Sequence, residues 1–550
     1  MELRRTNSGL STLQKDYGAP LLVLSMLVGM VLLIACVNVA NLMATQAATR
    51  AREMAVRVSQ GAGRGRLVRL VMLESALMGL AAAALGTLFS CWATPFVVSR
   101  IHPANTPLPL SMRPDWIVMT FGMALTVGVT VLSGLIPAVR ASKVQPSSAL
   151  KGGEQPRTGI RWMQGMIAGQ VAFCFMVLFA AGLFVSTLLR LTHQSMGFAP
   201  QQLLAVNVES TQPQPPVKWE QMAKQLGQLP GVENTALESW PLLSGGLMTR
   251  FISVNSVTWK SQPVYFLRVS PGWLGTMRIP LIRGRDLRPE DREPGTAIVN
   301  EKFAKLFFGG ANPVGRIFEA PTTARPGSKP FSFEIVGLVP NVIYADLREP
   351  DLPVAYTPFE TFDAAAAPVP ARYASIEVRT KGDPIAMEQP LRRAVQQIDP
   401  EFTVNNVTTQ EELAQDQLLR ERLLATLAGF FAAVALLLAA IGLYGVLHYS
   451  VVQREKEIGI RIALGAPVVD IARLVTSRVF FMVLLGAGIG LGLGMASVRF
   501  VTALLYGVKA TDASAITAPA TVLLAAACLA ALPAVLRAVR VDPVVMLRAQ

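Results

Sequence analysis

The residue types that usually carry catalysis or bind metals are few in this 550-residue chain, and they are far apart. Metal sites need several nitrogen, sulfur or carboxylate ligands at close and regular spacing. The histidines do not have that spacing, since they stand at positions 102, 193 and 448. The cysteines all fall within long apolar segments, at positions 36, 91, 174 and 528. The sequence therefore predicts no metal centre and no bound cofactor.

One acidic cluster has the residue types for paired catalytic carboxylates, namely Asp286, Glu290, Asp291 and Glu293. It lies among prolines and arginines in a stretch typical of a loop, with no histidine or cysteine nearby. A catalytic site combines titratable groups with a partner that activates or orients them. The cluster is therefore predicted to be solvated surface, and the chain is predicted not to be an enzyme.

The glycine-rich run GAGIGLGLG invites comparison with a nucleotide-binding loop. It lies within a long apolar segment, however, where a phosphate would be buried in hydrocarbon. Its residues Gly486, Gly490 and Gly494 follow one another at four-residue steps, a spacing that lets membrane helices pack closely. No G-x-x-x-x-G-K-[ST] phosphate loop occurs in the sequence. We therefore expect these glycines to pack helices and expect ATP to be hydrolysed by a separate subunit.

Two charged segments have nearly the same sequence, RAREMAVRVSQGA at 50–62 and REKEIGIRIALGA at 454–466. On a helix, the charged residues and one glycine of each copy fall within a stripe about 80° wide. The stripes are Arg50, Glu53, Arg57 and Gly61 in the first copy, and Arg454, Glu457, Arg461 and Gly465 in the second. One interpretation is an anchor in the lipid headgroups. The stripe persists while neighbouring residues differ, which favours a docking surface for a cytoplasmic partner.

Long apolar runs must position these segments. The chain is 52% hydrophobic and only 16% charged, which is too apolar for an ordinary soluble protein. Apolar runs of about 18 or more residues are long enough to cross a bilayer as helices. Seven such runs are predicted membrane spans, at 19–43, 71–97, 116–138, 165–189, 423–447, 479–505 and 515–536.

The charges of the connecting segments orient these spans. The segments 44–70, 139–162, 450–478 and 537–550 together hold 19 Lys or Arg against 6 Asp or Glu. They fall on one side of the membrane if seven helices alternate, and positive loops stay in the cytoplasm. The N-terminus is therefore predicted outside and the C-terminus inside. Because this rule explains nearly all of the net charge of +14, nucleic acid is not a predicted partner.

The chain contains an internal duplication around one large polar region. Both repeats follow the plan of span, basic loop, span, short loop, span and basic tail, with an offset of 404 residues that aligns Arg50 with Arg454. Between them, apolar runs shorten to strand length and alternate with short helical patterns, which predicts an α+β domain. The predicted parts are an outer tail 1–18, a first three-helix unit 19–151, a single span 165–189, the α+β domain 196–421 and a second three-helix unit 423–550.

The two repeats differ at two asparagines of the first span. Asn38 and Asn41 stand where the second copy has Gly442 and Gly445. Asparagine amides can form hydrogen bonds between membrane helices, whereas transport chemistry would call for an ionisable partner that is not evident here. We therefore expect packing contacts at these positions.

The chain resembles the MacB/FtsX-like family of ABC transporter permeases. The resemblance rests on the repeated charged segments and on three stretches of the α+β region, GWLGTMRIPLIRGRDL (272–287), TAIVNEKFAKLFFGGANPVGRIF (296–318) and EIVGLVPNVIYADLREPDLPVAYTPF (334–359). It implies a multi-pass protein of the bacterial inner membrane with an extracytoplasmic core domain. It also implies that a dimeric ABC ATPase binds the charged segments and moves the outer domain, to export or extract substrates with an adaptor or substrate protein outside.

The chain departs from the duplicated permeases of that family, which have two four-span halves. Its first half begins at what should be the second span, so one span and one outer domain are expected to be missing. Two other classes stay open. One is a signalling scaffold that controls an outside partner such as a cell-wall hydrolase. The other is a secondary transporter, which the lack of charges in the middle of the spans disfavours.

The predicted topology can be tested by cysteine labelling. Cysteines introduced at exposed positions between 200 and 410 should react with an impermeant reagent added from outside, because that region is predicted to be extracytoplasmic. Cysteines introduced between 455 and 465 should be protected. The opposite pattern would overturn the orientation.

Overall fold

The computed structural model describes most of the chain. The described residues are 11–49, 64–101, 116, 120–128, 130–131, 158–255, 257–259, 261–321, 330–349, 351–363, 367–453, 455–464 and 466–539. They fall into two compact units, one formed by Met1–Arg190 with Arg420–Gln550 and the other by Leu191–Leu419. The first unit is helical, and the second combines a sheet with short helices.

The helices are numbered along the chain. They are α1 (Ser11–Thr49), α2 (Arg64–Ile101), α3 (Thr158–Thr192), α4 (Pro216–Leu226), α5 (Trp273–Met277), α6 (Glu301–Phe308), α7 (Glu388–Ile398), α8 (Gln410–Gln417), α9 (Leu419–Gln453), α10 (Glu455–Ala463), α11 (Val468–Val501) and α12 (Ala513–Val539). Within the described residues, six helices are long and apolar enough to cross a membrane, namely α1, α2, α3, α9, α11 and α12. One predicted span, 116–138, is not among these six. The structure describes its residues 116, 120–128, 130 and 131, which are helical. The remainder of that span lies outside the described residues.

Packing in the helical unit centres on α3. More than half of its apolar stretch is enclosed by protein, 56%, compared with 28% for α1 and 33% for α9. Buried side chains of α3 such as Val171, Phe175 and Phe179 form one core with residues of α1, α9, α11 and α12. The other faces of the membrane helices keep large apolar side chains exposed, among them Leu437 and Phe481, as expected for surfaces that contact lipid.

In the described part of the second unit, 13 strands form one mixed sheet. Its strands are β1 (Leu203–Gln214), β2 (Val232–Glu238), β3 (Thr249–Arg250), β4 (Ser253–Val254), β5 (Val257–Thr258), β6 (Val264–Val269), β7 (Arg283–Gly284), β8 (Thr296–Asn300), β9 (Ile317–Ala320), β10 (Phe331–Val339), β11 (Val354–Pro358), β12 (Ala371–Thr380) and β13 (Phe402–Thr409). The strand order is β13-β1-β12-β2-β6-β11-β8-β10-β9-β4-β5, with β3 beside β6 and β7 beside β10. The predicted fold class is thus confirmed: a multi-span α-helical membrane protein with one α+β domain.

Two separate cores divide this sheet into halves. In the first half, α4 and α7 cover β1, β2, β12 and β13, and Trp219 packs edge to face on Phe402 with 4.8 Å between ring centroids. In the second half, α6 covers β8 and β10 with a phenylalanine cluster in which Phe318 stacks on Phe333 at 5.1 Å. The strands β8, β11 and β12 bury several consecutive residues, so both faces of the sheet are covered there.

Candidate functional site

The second copy of the charged stripe is described in part and lies on α10. Glu457 and Arg461 form an i,i+4 ion pair with 2.8 Å between Oε1 and Nη2. Both side chains are about half exposed, at 46% for Glu457 and 49% for Arg461. Ile458, by contrast, is fully buried against the core of the helical unit. The helix therefore buries one face and presents the charged stripe on another.

An apolar residue extends this stripe by one turn. Leu464 follows Arg461 by three residues and is 82% exposed, the highest value among the large hydrophobic residues described. Its N–H donates to the carbonyl of Ile460 at 3.0 Å, so it continues the helical turn. Leu464 thus adds an apolar side chain to the exposed face that carries Glu457 and Arg461. Sequence reasoning missed Leu464, although its position seven residues after Glu457 places it on the same helix face.

The other predicted stripe residues lie outside the described residues. These are Arg50, Glu53, Arg57 and Gly61 of the first copy, and Arg454 and Gly465 of the second. Around Gly465, α10 ends at Ala463 and α11 begins at Val468 after Pro467. The chain thus breaks and restarts its helix between the charged segment and the next membrane span.

The three glycines predicted to pack helices lie along one face of α11. A Cβ atom at Gly486 would come within 2.6 Å of the Ala168 carbonyl oxygen, and one at Gly490 within 2.6 Å of the Ala172 carbonyl oxygen. At Gly494 a Cβ would stand 3.0 Å from the Phe179 ring. Because the nearest neighbours of Gly486 and Gly490 are backbone carbonyl oxygens of α3, the two helices approach each other there at a distance that only glycine permits.

A polar contact joins α1, α3 and α9. The amides of Asn38 and Gln170 both donate to the Leu438 carbonyl, at 2.7 Å and 3.1 Å. A Cβ added to Gly442 would collide with Asn38 and with Gln170, so the absence of a side chain at Gly442 makes room for both amides. With the offset of 404 residues, Asn38 and Gly442 are equivalent positions of the two repeats. The repeats therefore meet at this point, which the sequence indicated for Asn38 but not for Gln170.

The acidic cluster lies in the second unit, the α+β domain, which is called the outer domain from here on. The prediction that the cluster is solvated surface is wrong for two of its members. Glu293 is buried and accepts from Arg268 Nε at 2.7 Å and from the Thr357 hydroxyl at 2.8 Å. Asp291 binds Arg285 with 2.6 Å between Oδ2 and Nη1, and these hydrogen bonds lower the pKa of Asp291. The cluster is tied into ion pairs that close its loop against the sheet. Among the described residues, no three His, Cys, Asp or Glu side chains are grouped to hold a metal ion.

Two family models match the chain, one over the two repeats and the other over the segment between them. Residues 25–146 and 429–543 match the FtsX-like permease C-terminal family, and residues 163–394 match the MacB-like periplasmic core domain. These matches identify FtsX-like permease repeats and one MacB-like periplasmic core domain, as in ABC transporter permeases. The chain belongs to the MacB/FtsX-like family of such permeases, which confirms the resemblance noted from its sequence.

Individual relatives are distant. The uncharacterised ABC transporter permease YknZ of Bacillus subtilis is 24% identical over 241 residues, which are 43% of this chain and 57% of YknZ. The pyoverdine export ATP-binding/permease protein PvdT of Pseudomonas syringae is 34% identical over 125 residues, 22% of this chain and 19% of PvdT. The matches thus span less than two thirds of either relative. The periplasmic region of MacB from Actinobacillus actinomycetemcomitans aligns over 41% of this chain and 96% of its own length, with 13% identity and a TM-score of 0.29.

The close approach of α11 to α3 can be tested with two alanine substitutions. Gly490→Ala should lower the thermal stability of the chain in detergent, since overpacking costs about 1–3 kcal/mol. Gly492→Ala is the matched control, because no atom lies within 4 Å of a Cβ built there. That control should leave the stability unchanged or raise it by about 0.5–1 kcal/mol through helix propensity. Equal effects of the two substitutions would contradict the packing face.

Proposed function

We propose that this chain is the permease subunit of an ABC-type system, in which a separate dimeric ATPase drives motion of the α+β domain. The motion would export substrates, or extract them from the outer leaflet or the periplasm. The chain would be a multi-pass protein of the bacterial inner membrane, with its N-terminus outside and its C-terminus in the cytoplasm. The 19 to 6 excess of basic residues in the loops on one side supports this orientation.

The observation that carries the proposal is the continuity of the chain from the α+β domain to the charged stripe. Helix α8 belongs to the outer domain, and only Leu418 separates it from α9. Helix α9 has 35 residues, which at the standard rise corresponds to about 50 Å and exceeds the thickness of a bilayer. Helix α10 with Glu457 and Arg461 follows directly. A force applied to α10 could thus travel along α9 to α8.

The geometry of α8 supports such a mechanical role. Thr409 and Glu412 form a capping box, in which the Thr409 hydroxyl accepts from the Glu412 N–H and the Glu412 carboxylate accepts from the Thr409 N–H. Further along, Gln417 Nε2 donates to the Leu243 carbonyl at 2.9 Å. The capping box fixes the start of α8 at the end of β13, and the Gln417 bond ties its other end to the outer domain, so that movement of α9 would be passed to the sheet.

The duplication supports a two-fold ATPase as the partner. A dimeric ATPase presents two equivalent surfaces, and the two copies of the charged segment offer two related receptors within one polypeptide. The proposal of a separate ATPase is supported by the lack of a phosphate loop in these 550 residues. Among the relatives, PvdT is named as an ATP-binding/permease protein, whereas YknZ is named as a permease.

An exchange of the two charged residues of α10 distinguishes an effect on ATPase docking from an effect on the stability of the helix. Glu457→Arg combined with Arg461→Glu keeps an i,i+4 ion pair but reverses the charge pattern that a partner would meet. The pair contributes only about 0.3–0.5 kcal/mol to the helix, so the exchange should leave membrane insertion and folding intact. We expect the exchanged variant to lose most of the co-purifying ATPase in mild detergent.

The same exchange can be made in the first copy of the charged segment. The equivalent exchange of Glu53 and Arg57 should also reduce ATPase binding, by a smaller factor. If both exchanged variants retained normal ATPase binding and ATPase activity, the segments would be headgroup anchors and the docking proposal would fail. Leu464→Ala, which removes the exposed apolar side chain without changing charge, should weaken binding as well.

The purified chain should neither bind nor hydrolyse ATP by itself. Without a phosphate loop, nothing in the sequence would hold the triphosphate. Equilibrium binding of a fluorescent ATP analogue to the chain, in a preparation free of other subunits by mass spectrometry, measures this directly. Saturable binding that unlabelled ATP displaces would refute the assignment of hydrolysis to a separate subunit.

A further inference from the structure

Two glutamates are completely buried in the outer domain, on the sheet face opposite the first core. Glu238 ends β2 and Glu377 lies on β12, and each has a relative exposure of 0%. In the antiparallel register, Glu238 stands opposite Ser375, and Glu377 stands opposite Ala236. The two carboxyl groups are therefore diagonal neighbours on one face, within hydrogen-bonding reach of each other.

Each carboxyl accepts one hydrogen bond from a helix packed on this face. The indole Nε1 of Trp273 on α5 donates to Glu238 Oε2 at 2.8 Å. The amide Nε2 of Gln410, the first residue of α8, donates to Glu377 Oε1 at 2.9 Å. The remaining oxygens, Glu238 Oε1 and Glu377 Oε2, have no donor among the described residues. Neighbouring buried carboxyl groups with unpaired acceptor oxygens favour one shared proton, because two adjacent negative charges are costly in such a site.

The surrounding charges determine which carboxyl carries the proton. Burial, and then the charge of Glu377, raise the pKa of Glu238 well above its ordinary value. Burial also raises the pKa of Glu377, while hydrogen bonds from Glu238 and Gln410 and the charge of Arg379 oppose that effect. We therefore assign the proton to Glu238 and the negative charge to Glu377.

The other titratable groups around the pair do not supply a second proton. The Arg379 guanidinium is buried and donates to the backbone carbonyls of Thr276, Gln201 and Ala199. Beyond it lies the exposed pair Arg278 and Glu233, with 3.3 Å between Nη2 and Oε2. On the other side, burial raises the pKa values of Tyr344 and Tyr356, so both phenols stay neutral around pH 7.

We propose that Glu238 and Glu377 share one proton, and that this proton holds α8 on the sheet and makes its docking sensitive to the pH of the surrounding compartment. Gln410 is fully buried and bonded to the pair, so a second negative charge there would push the sheet apart beneath the start of α8. The proton-sharing pair stands independently of any ATPase. Its consequence for transport rests on the proposed function, because α8 leads into α9.

The sign of the pH effect follows from the raised pKa of Glu238. Below the ordinary Glu pKa of about 4.3, the folded and unfolded chains are both protonated at this residue, and the contribution to stability is fully present. As the pH rises from there through the raised pKa of Glu238, the unfolded form loses its proton first. The stability of the folded domain, in which α8 is docked, therefore falls with rising pH over this window.

Hydrogen exchange of α8 in the full chain in lipid nanodiscs tests the proposal. After correction for intrinsic exchange chemistry, protection of peptides covering 410–417 should fall at least about tenfold between pH 5 and pH 9. In Glu238→Gln, an amide replaces the protonated carboxyl and can still donate to Glu377. Its protection should change by less than about twofold over the same range. Glu319→Gln, at an exposed position of β9, is the matched control and should behave like the parent chain.

Infrared spectroscopy gives a second readout that does not depend on exchange. At neutral pH the parent chain and Glu319→Gln should show the carbonyl stretch of a protonated carboxyl, and this band should be lost in Glu238→Gln. In Glu377→Gln the band should persist, because burial alone still raises the pKa of Glu238. A band that persists in Glu238→Gln would overturn the proposal. So would corrected protection of α8 that does not vary with pH in the parent chain, or that varies equally in Glu238→Gln.

Discussion

Within hydrocarbon, helices gain little hydrophobic free energy by associating, so the helical unit depends on how closely α11 can approach α3. Gly486 and Gly490 let the two backbones come so near that a methyl group would meet carbonyl oxygens of α3. This contact encloses α3, around which α1, α9, α11 and α12 contribute to one core. The position of α9 within the helical unit depends on this arrangement.

The duplicated sequence is not used symmetrically within this core. Equivalent positions of the repeats carry Asn38 and Gly442, and the asparagine side chain occupies the space that the glycine leaves. Its amide and that of Gln170 share the Leu438 carbonyl, so a residue outside the duplication completes the contact. The two repeats are thus joined by a shared acceptor on α9, the helix that leads from the outer domain to α10.

The class of protein could be predicted from the sequence because hydropathy and loop charge act locally along the chain. The apolar run 165–189, for example, lies within α3 at Thr158–Thr192. The buried acids could not be predicted in this way. Glu293 has the sequence surroundings of a loop but is enclosed by Arg268 from β6, and Glu238 meets Glu377 only because β2 pairs with β12. Such pairs depend on strand order and register, which residues distant in the chain decide.

The proposal that ATP hydrolysis moves the outer domain is tested most directly by a distance between the two units of the chain. Spin labels at Lys381, exposed in the outer domain, and at Lys509, exposed between α11 and α12, can be introduced after replacing the cysteines at 36, 91, 174 and 528. The distance distribution is then measured by pulsed electron resonance in nanodiscs with the co-purifying ATPase. Coupling predicts that the distribution differs between the nucleotide-free and the ATP-bound, hydrolysis-arrested complexes. The same distribution in every nucleotide state would contradict it.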